Sequence, residues 1–228
     1  MKAISEYRAA ARETLDGRWN SAAVMVLIIT LLVILFTSLS VYIALAGSLG
    51  YAIPERLSLP ADGVNTVFSL LVTGPLEMAM LCVLLMMKRN NLEDTPLASM
   101  FQSFKSNWSR FVVAQVLETI IIVLISIPTL CIGGIIFSYA YRMVPYLLHD
   151  YPDLTPKEAL KLSRQMMRGY KANLFLLDFS FIGWGFLCIL SCGIGLLWLI
   201  PYMYTASAHF YEDVKDETLE DDNTPAEN

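Results

Sequence analysis

The sequence predicts an all-α membrane protein. It would have six transmembrane helices in three hairpins, each preceded by a cytoplasmic interfacial amphipathic helix. Three observations predict this fold class. Hydrophobic residues fill 56% of the 228 positions and charged ones only 16%, against about 45–50% and about 25% in a soluble domain. Apolar runs recur at or near the about 20 residues that a helix needs to cross hydrocarbon. Alternate loops hold 15 and 1 of the 16 Lys and Arg residues, the asymmetry of a membrane protein with basic cytoplasmic loops. This composition excludes a disordered chain, a disulfide-stapled secreted domain and a typical nucleic-acid binder.

The elements follow in order. Ile4, Tyr7, Ala11 and Leu15 share one helical face and predict the first interfacial helix. Ser21 to Gly47 carries no charge and predicts the first span. Ala44-Leu45-Ala46 resembles a cleavage site, but the run before it exceeds the about 7–15 residues of a signal core, so a retained helix is expected. Val64 to Met87 predicts the second span, interrupted only by Glu77. Thr95-Pro96 opens the next amphipathic segment, with Leu97, Met100, Phe101, Phe104 and Trp108 on one face. Phe111 to Ile127 predicts the third span, carrying Glu118, and Pro128 with Gly133-Gly134 turns the chain. Ile135 to Leu148 is a short fourth span containing Arg142.

Thr155-Pro156 opens the third amphipathic helix. Threonine caps free N–H groups, proline suits the first helical position, and Glu158 completes a capping box. Ala159, Leu162, Met166 and Met167 form its apolar face, expected to lie in the headgroup–acyl boundary. Lys157, Lys161, Arg164 and Arg168 form the opposite stripe, expected at the membrane surface. Asn173 to Leu190, with Asp178, is the fifth span; Gly193 and Gly195 turn the chain, and the sixth ends near Phe210. The turns of the last two hairpins, over 111–148 and 173–210, are short enough that both could instead dip in and return.

At a spacing of 60 residues, Thr95 falls on Thr155, Pro96 on Pro156, Ser103 on Ser163, Glu118 on Asp178, Gly133 on Gly193 and His149 on His209. Leu15-Asp16-Gly17 resembles Met167-Arg168-Gly169, and each hairpin's second helix has a proline: Pro75, Pro145, Pro201. A threefold internal repeat is expected, with units of about 1–90, 91–151 and 152–211 inside a membrane domain of 1–211. The last 17 residues, 212–228, hold eight acids and one lysine. Their charge of −7, within −5 overall, leaves +2 for the rest. They are expected to form a disordered acidic cytoplasmic tail.

Charges inside a membrane are costly and point to function. Glu77, Gln115, Glu118, Arg142 and Asp178 are the candidate intramembrane polar site, all in the cytoplasmic half by helix rise. One arginine cannot neutralise three acids. Arg142 is expected to contact Glu118 or Asp178, either as a packing ion pair or as part of a substrate site. Cys82, Cys131, Cys188 and Cys192 lack metal-site spacing, and no phosphate loop, zinc pattern or nucleophile elbow occurs. No enzyme chemistry, cofactor or metal is expected.

The stretch Ser163-Arg-Gln-Met-Met-Arg-Gly-Tyr-Lys171, with Leu174-Phe-Leu-Leu-Asp178-Phe-Ser-Phe-Ile-Gly-Trp184, Gly193-Ile-Gly-Leu-Leu-Trp198-Leu-Ile-Pro-Tyr202 and Phe210-Tyr-Glu212, resembles an uncharacterised family, domain of unknown function 975. The resemblance covers about Thr155 to Asp213, and Arg12 to Trp19 is compatible with it. It implies a bacterial integral membrane protein and supplies no activity or site residues. Two functions are expected as alternatives. One is binding or transport of a small or lipid-like solute through a polar cavity. The other is a membrane scaffold recruiting lipids or proteins through its interfacial helices and tail. The expected partners are membrane lipids, including anionic ones, and not nucleic acid. The expected place is the bacterial inner membrane, with both termini cytoplasmic.

Overall fold

The computed structural model describes residues 2–49, 63, 65–90, 95–129 and 132–223. Arg56 of the expected outer loop, Cys131 and residues 224–228 lie outside them. Among the described residues the chain is helical, with no strand. Three helices are long and apolar enough to cross a membrane: Asn65–Lys88, Pro96–Ser126 and Lys171–Leu190. A fourth arises if Ile4–Leu15 and Trp19–Leu35, bent by 95°, count as one span.

Helix α1, Ile4–Leu15, buries the expected Tyr7, Ala11 and Leu15. Gly17, at φ +70°, takes the left-handed turn that side chains disfavour and frees the chain to enter α2, Trp19–Ser48. Helix α3, Gly74–Lys88, follows a π-helical turn at Ser69–Thr73. It is the centre of the molecule, with Leu76, Ala79, Met80, Val83, Leu84 and Leu85 buried.

Thr95 caps α4, Pro96–Ser126, through the Ala98 amide. Here the structure corrects the expectation of a separate second interfacial helix. The amphipathic segment and the span form one 31-residue helix. The reason is local: Gly169 turns left-handed, at φ +84°, after the third amphipathic helix, but Ser109 stands 60 residues earlier, and a serine does not readily adopt that conformation.

Helices α5, Ile132–Tyr141, and α6, Val144–Asp150, are separated by a break at Arg142–Met143, just ahead of Pro145. The Ala140 carbonyl left at that break accepts a hydrogen bond from buried Ser163 Oγ at 2.8 Å. Helix α7, Pro156–Met166, begins with the expected capping box of Thr155 and Glu158. Its basic stripe is exposed, whereas Met166 and Met167 are buried in the protein core. The expected lipid boundary is therefore not where that apolar face goes, because α4, α5 and α6 cover α7.

Helices α8, Lys171–Phe179, and α9, Ile182–Leu190, lead to the turn at Gly193, φ +85°. Helix α10 runs from Leu196 to Asn223. This corrects the expected disorder from Glu212 onward. Asp213 pairs with Lys2 at 2.7 Å and accepts the Tyr7 hydroxyl at 2.9 Å, so opposite charges and donors supplied by remote segments offset the local acidity. The outer faces carry bare apolar side chains, Leu190 at 80% and Ile127 at 75% exposure, as lipid solvation requires and water disfavours.

Candidate functional site

The polar site is built around the entry to α3. Pro75 has no N–H, so the Leu71 carbonyl four residues back loses its usual helical donor. Trp108 Nε1 donates to it at 2.7 Å. The π turn closes from the Gly74 amide to the Ser69 carbonyl, a wide-turn irregularity often found at functional positions. Gly74 makes room for a close approach: a Cβ there would lie 1.9 Å from Gln115 Oε1, and the amide would have to swing aside. Gln115 Oε1 itself is buried with no hydrogen-bond partner.

This geometry turns Glu77 outward. In the run Thr73–Met80 it is the exposed residue among buried ones. It opens into a cavity of about 160 Å³ walled mostly by apolar Val26, Ile29, Val33, Met80 and Ile200, with Thr30 and Tyr204 as its other polar residues. The other side of the site is Arg142, whose guanidinium lies 5.3 Å from the centre of the Tyr204 ring. Asp178 Oδ2 accepts the Tyr139 hydroxyl at 3.2 Å, while its buried Oδ1 has no partner.

Arg142 is the cation whose field reaches Glu77, Glu118 and Asp178. The expected contact is nevertheless absent: among the described residues no carboxylate lies within ion-pair distance of Arg142. The aromatic face of Tyr204 takes that place, an attraction worth about 2 kcal/mol when desolvated. The three acids thus share one nearby arginine, and none of them is ion-paired with it. Gln115 sits beside α3, packed on Gly74.

A second charged cluster joins the cytoplasmic ends that follow from the expected topology. Arg89 clamps Asp150 with two hydrogen bonds, at 2.6 and 2.9 Å. Tyr211 donates to Asp150 at 2.8 Å and Lys215 at 2.6 Å. Lys88 and Arg89 Nε both bind Glu212. The Asp150 side chain is only 4% exposed. Burial alone would raise its pKa, but the bonds from Arg89, Lys215 and Tyr211 hold it well below the usual carboxylate range. Arg110 completes the region by donating to the carbonyls of Leu148, Tyr151 and Leu154 at 2.7–2.9 Å, satisfying the C-terminal end of α6.

Sequence reasoning missed this cluster. A signal existed: Lys88-Arg89, Asp150-Tyr151 and Tyr211-Glu212 close the three units with complementary charges. Of the expected surface stripe, Lys157, Lys161 and Arg168 project outward, and exposed Arg164 lies 5.2 Å over the Phe137 ring. Cys82, Cys188 and Cys192 are free thiols. No group of three His, Cys, Asp or Glu among the described residues could hold a metal ion.

The class is thus a helical protein, three or four of whose helices among the described residues are long and apolar enough to cross a membrane. The family model described as protein of unknown function (DUF975) matches residues 1–138 and 115–218, and the chain belongs to that family. No curated protein and no solved structure matches it.

Proposed function

We propose that this is a bacterial inner-membrane protein that binds or passes a small solute through a polar cavity in the cytoplasmic half of the bilayer. The observation that carries the reading is the cavity at Glu77, bounded by Tyr204 with Arg142 over the same ring. A volume of about 160 Å³ suits a cation with a few waters, since each water occupies about 30 Å³. Glu77 supplies the negative charge for it, and Thr30 and Tyr204 supply oxygens. The scaffold alternative has less support, because the apolar faces of α1 and α7 are spent on the protein's own core.

Both termini are cytoplasmic in this reading, and the three units descend from one repeat. Its support is the left-handed Gly17 and Gly169 at matching places, the threonine caps of α4 and α7, and the buried pair Ser103 and Ser163. Six crossings remain the starting topology, but one observation favours a re-entrant third hairpin. Tyr202 donates its hydroxyl to the Arg8 carbonyl of α1, only about 10 Å of helix rise past the turn at Gly195. A reporter fused after Cys192 should score internal if that hairpin returns early, and an external score would restore the crossing.

The test of function is reconstitution of the full chain into liposomes holding a pH-sensitive dye, with sodium or potassium gradients imposed. Cation- or proton-dependent flux is expected, and Glu77→Gln should abolish it. Wild-type liposomes as tight as empty ones under every gradient would sink the transport reading.

A further inference from the structure

A second cavity, of about 500 Å³, lies between α1, α2, α9 and α10, away from Glu77. Three of the four tryptophans, Trp19, Trp184 and Trp198, line it with Leu187 and Tyr202. Trp184, Leu187 and Trp198 are exposed, so the groove opens sideways at the apolar surface. Its one charged wall residue is Arg12, which forms no ion pair among the described residues.

Arg8 stands one helical turn before Arg12 on the same face of α1. Its guanidinium lies 5.5 Å from the centre of the Phe181 ring, and its Nε is buried without a hydrogen-bond partner. Phe181 and Trp19 both meet Tyr202 edge-on, at 5.0 and 6.0 Å between centroids. The aromatic floor therefore continues from Arg8 into the groove. One cation, Arg12, stands at the wall, no carboxylate lines it, and the rest of the lining is mainly apolar; Arg8 lies just outside it, against the aromatic floor. Ser191 Oγ is already satisfied by the Cys188 carbonyl and the Gly195 amide.

We propose that this groove holds one anionic phospholipid of the cytoplasmic leaflet. Its acyl chain lies against Trp19, Trp184 and Trp198, and its phosphate faces Arg12. Charge complementarity selects the headgroup, since an unpaired arginine at a membrane surface attracts anionic lipid. The length agrees: from Tyr202 to Gly195 the groove follows about 10 Å of helix, inside the about 15 Å of one leaflet's hydrocarbon. The site rests on the orientation proposed above but not on any activity at Glu77.

The test uses the full chain in phosphatidylcholine nanodiscs, with tryptophan fluorescence as the readout. Acyl-brominated phosphatidylglycerol or phosphatidylcholine is added at the same low mole fraction. The anionic lipid should quench as though enriched about fivefold, the occupancy ratio expected of one surface arginine. Arg12→Gln should remove that preference, and Lys161→Gln, on the exposed stripe of α7, should leave it. Equal quenching by both lipids in the unaltered protein overturns the proposal with no variant needed. So does an equal loss in Lys161→Gln, which would reduce the effect to general surface charge. A preference that survives Arg12→Gln overturns the assigned headgroup contact.

Discussion

The two charged clusters of this protein are opposite in kind. Where the ends of α3 and α6 meet α10, buried Asp150 is bound by Arg89, Lys215 and Tyr211, and Glu212 by Lys88 and Arg89. Around Arg142, three carboxylates share one cation, none touches it, and two buried oxygens, on Gln115 and Asp178, have no partner. The first arrangement is saturated and joins α3, α6 and α10. The second leaves capacity unused. Buried polar groups left without partners are expensive, so unused capacity points to a visitor, whereas saturated charge points to architecture.

The largest expected effect therefore falls on the saturated cluster. Asp150→Ala removes the ion-pair partner of Lys215 and two of the hydrogen bonds of Arg89, leaving Arg89 with Glu212 alone, and a guanidinium cannot shed its charge in response. Removing one partner of a buried pair costs about 3–5 kcal/mol, which thermal unfolding in detergent should register. Acid should act in the same direction. The Asp150 carboxyl is depressed in the folded state, so its contribution is complete above its unfolded value near pH 4. It drains away as the pH falls from there toward the lower native value. Unfolding midpoints measured downward from pH 5 should fall more steeply in the unaltered protein than in Asp150→Asn. Equal slopes would show that the cluster adds no stability.

Arg142→Ala should cost less, about 2 kcal/mol for the lost cation–aromatic contact. The acids it leaves can take up protons, an escape closed to Arg89. A loss as large as that of Asp150→Ala would erase the distinction between the clusters. Smaller again is Gly74→Ala. The new Cβ meets the Gln115 amide, the far end of a flexible side chain that can swing aside, so the cost should fall at or below the low end of the about 1–3 kcal/mol of overpacking, and Gln115→Ala in the same chain should largely relieve it. Failure of that rescue would place the strain in the π turn instead.

What the sequence made legible was local. Thr95-Pro96 and Thr155-Pro156 start helices, Gly17 and Gly169 end them, and the α1 face of Tyr7, Ala11 and Leu15 is buried. The five polar residues within apolar runs were legible too, because a charge in such a run stands out. Their pairing was not, since Arg142 and Tyr204 are brought together by tertiary packing. Met166 and Met167 were misplaced for a related reason: periodicity finds an apolar face but does not say whether protein or lipid covers it. Composition places Glu212 and Asp213 in a tail because it is counted along the chain, while Lys88, Arg89 and Lys2 reach them from far away in it.

The smallest effect on stability should come from the residue with the largest role in the proposed function. Glu77 makes no ion pair among the described residues and opens into a cavity rather than against a neighbour. Glutamine keeps its shape and its hydrogen-bonding reach while removing the charge, so no packing is lost and no partner is stranded. Unfolding of Glu77→Gln should therefore lie within about 0.5 kcal/mol of the unaltered protein, the range of substitutions away from structural contacts. A double variant, Glu77→Gln with Arg142→Ala, locates the site. If the two groups only fix packing, their costs couple as direct neighbours do. If Glu77 faces a visiting cation, the stability costs add, while solute binding is already lost in the single variant. Strong coupling in unfolding, with binding intact in Glu77→Gln, would move Glu77 into the architecture and leave the cavity without its ligand.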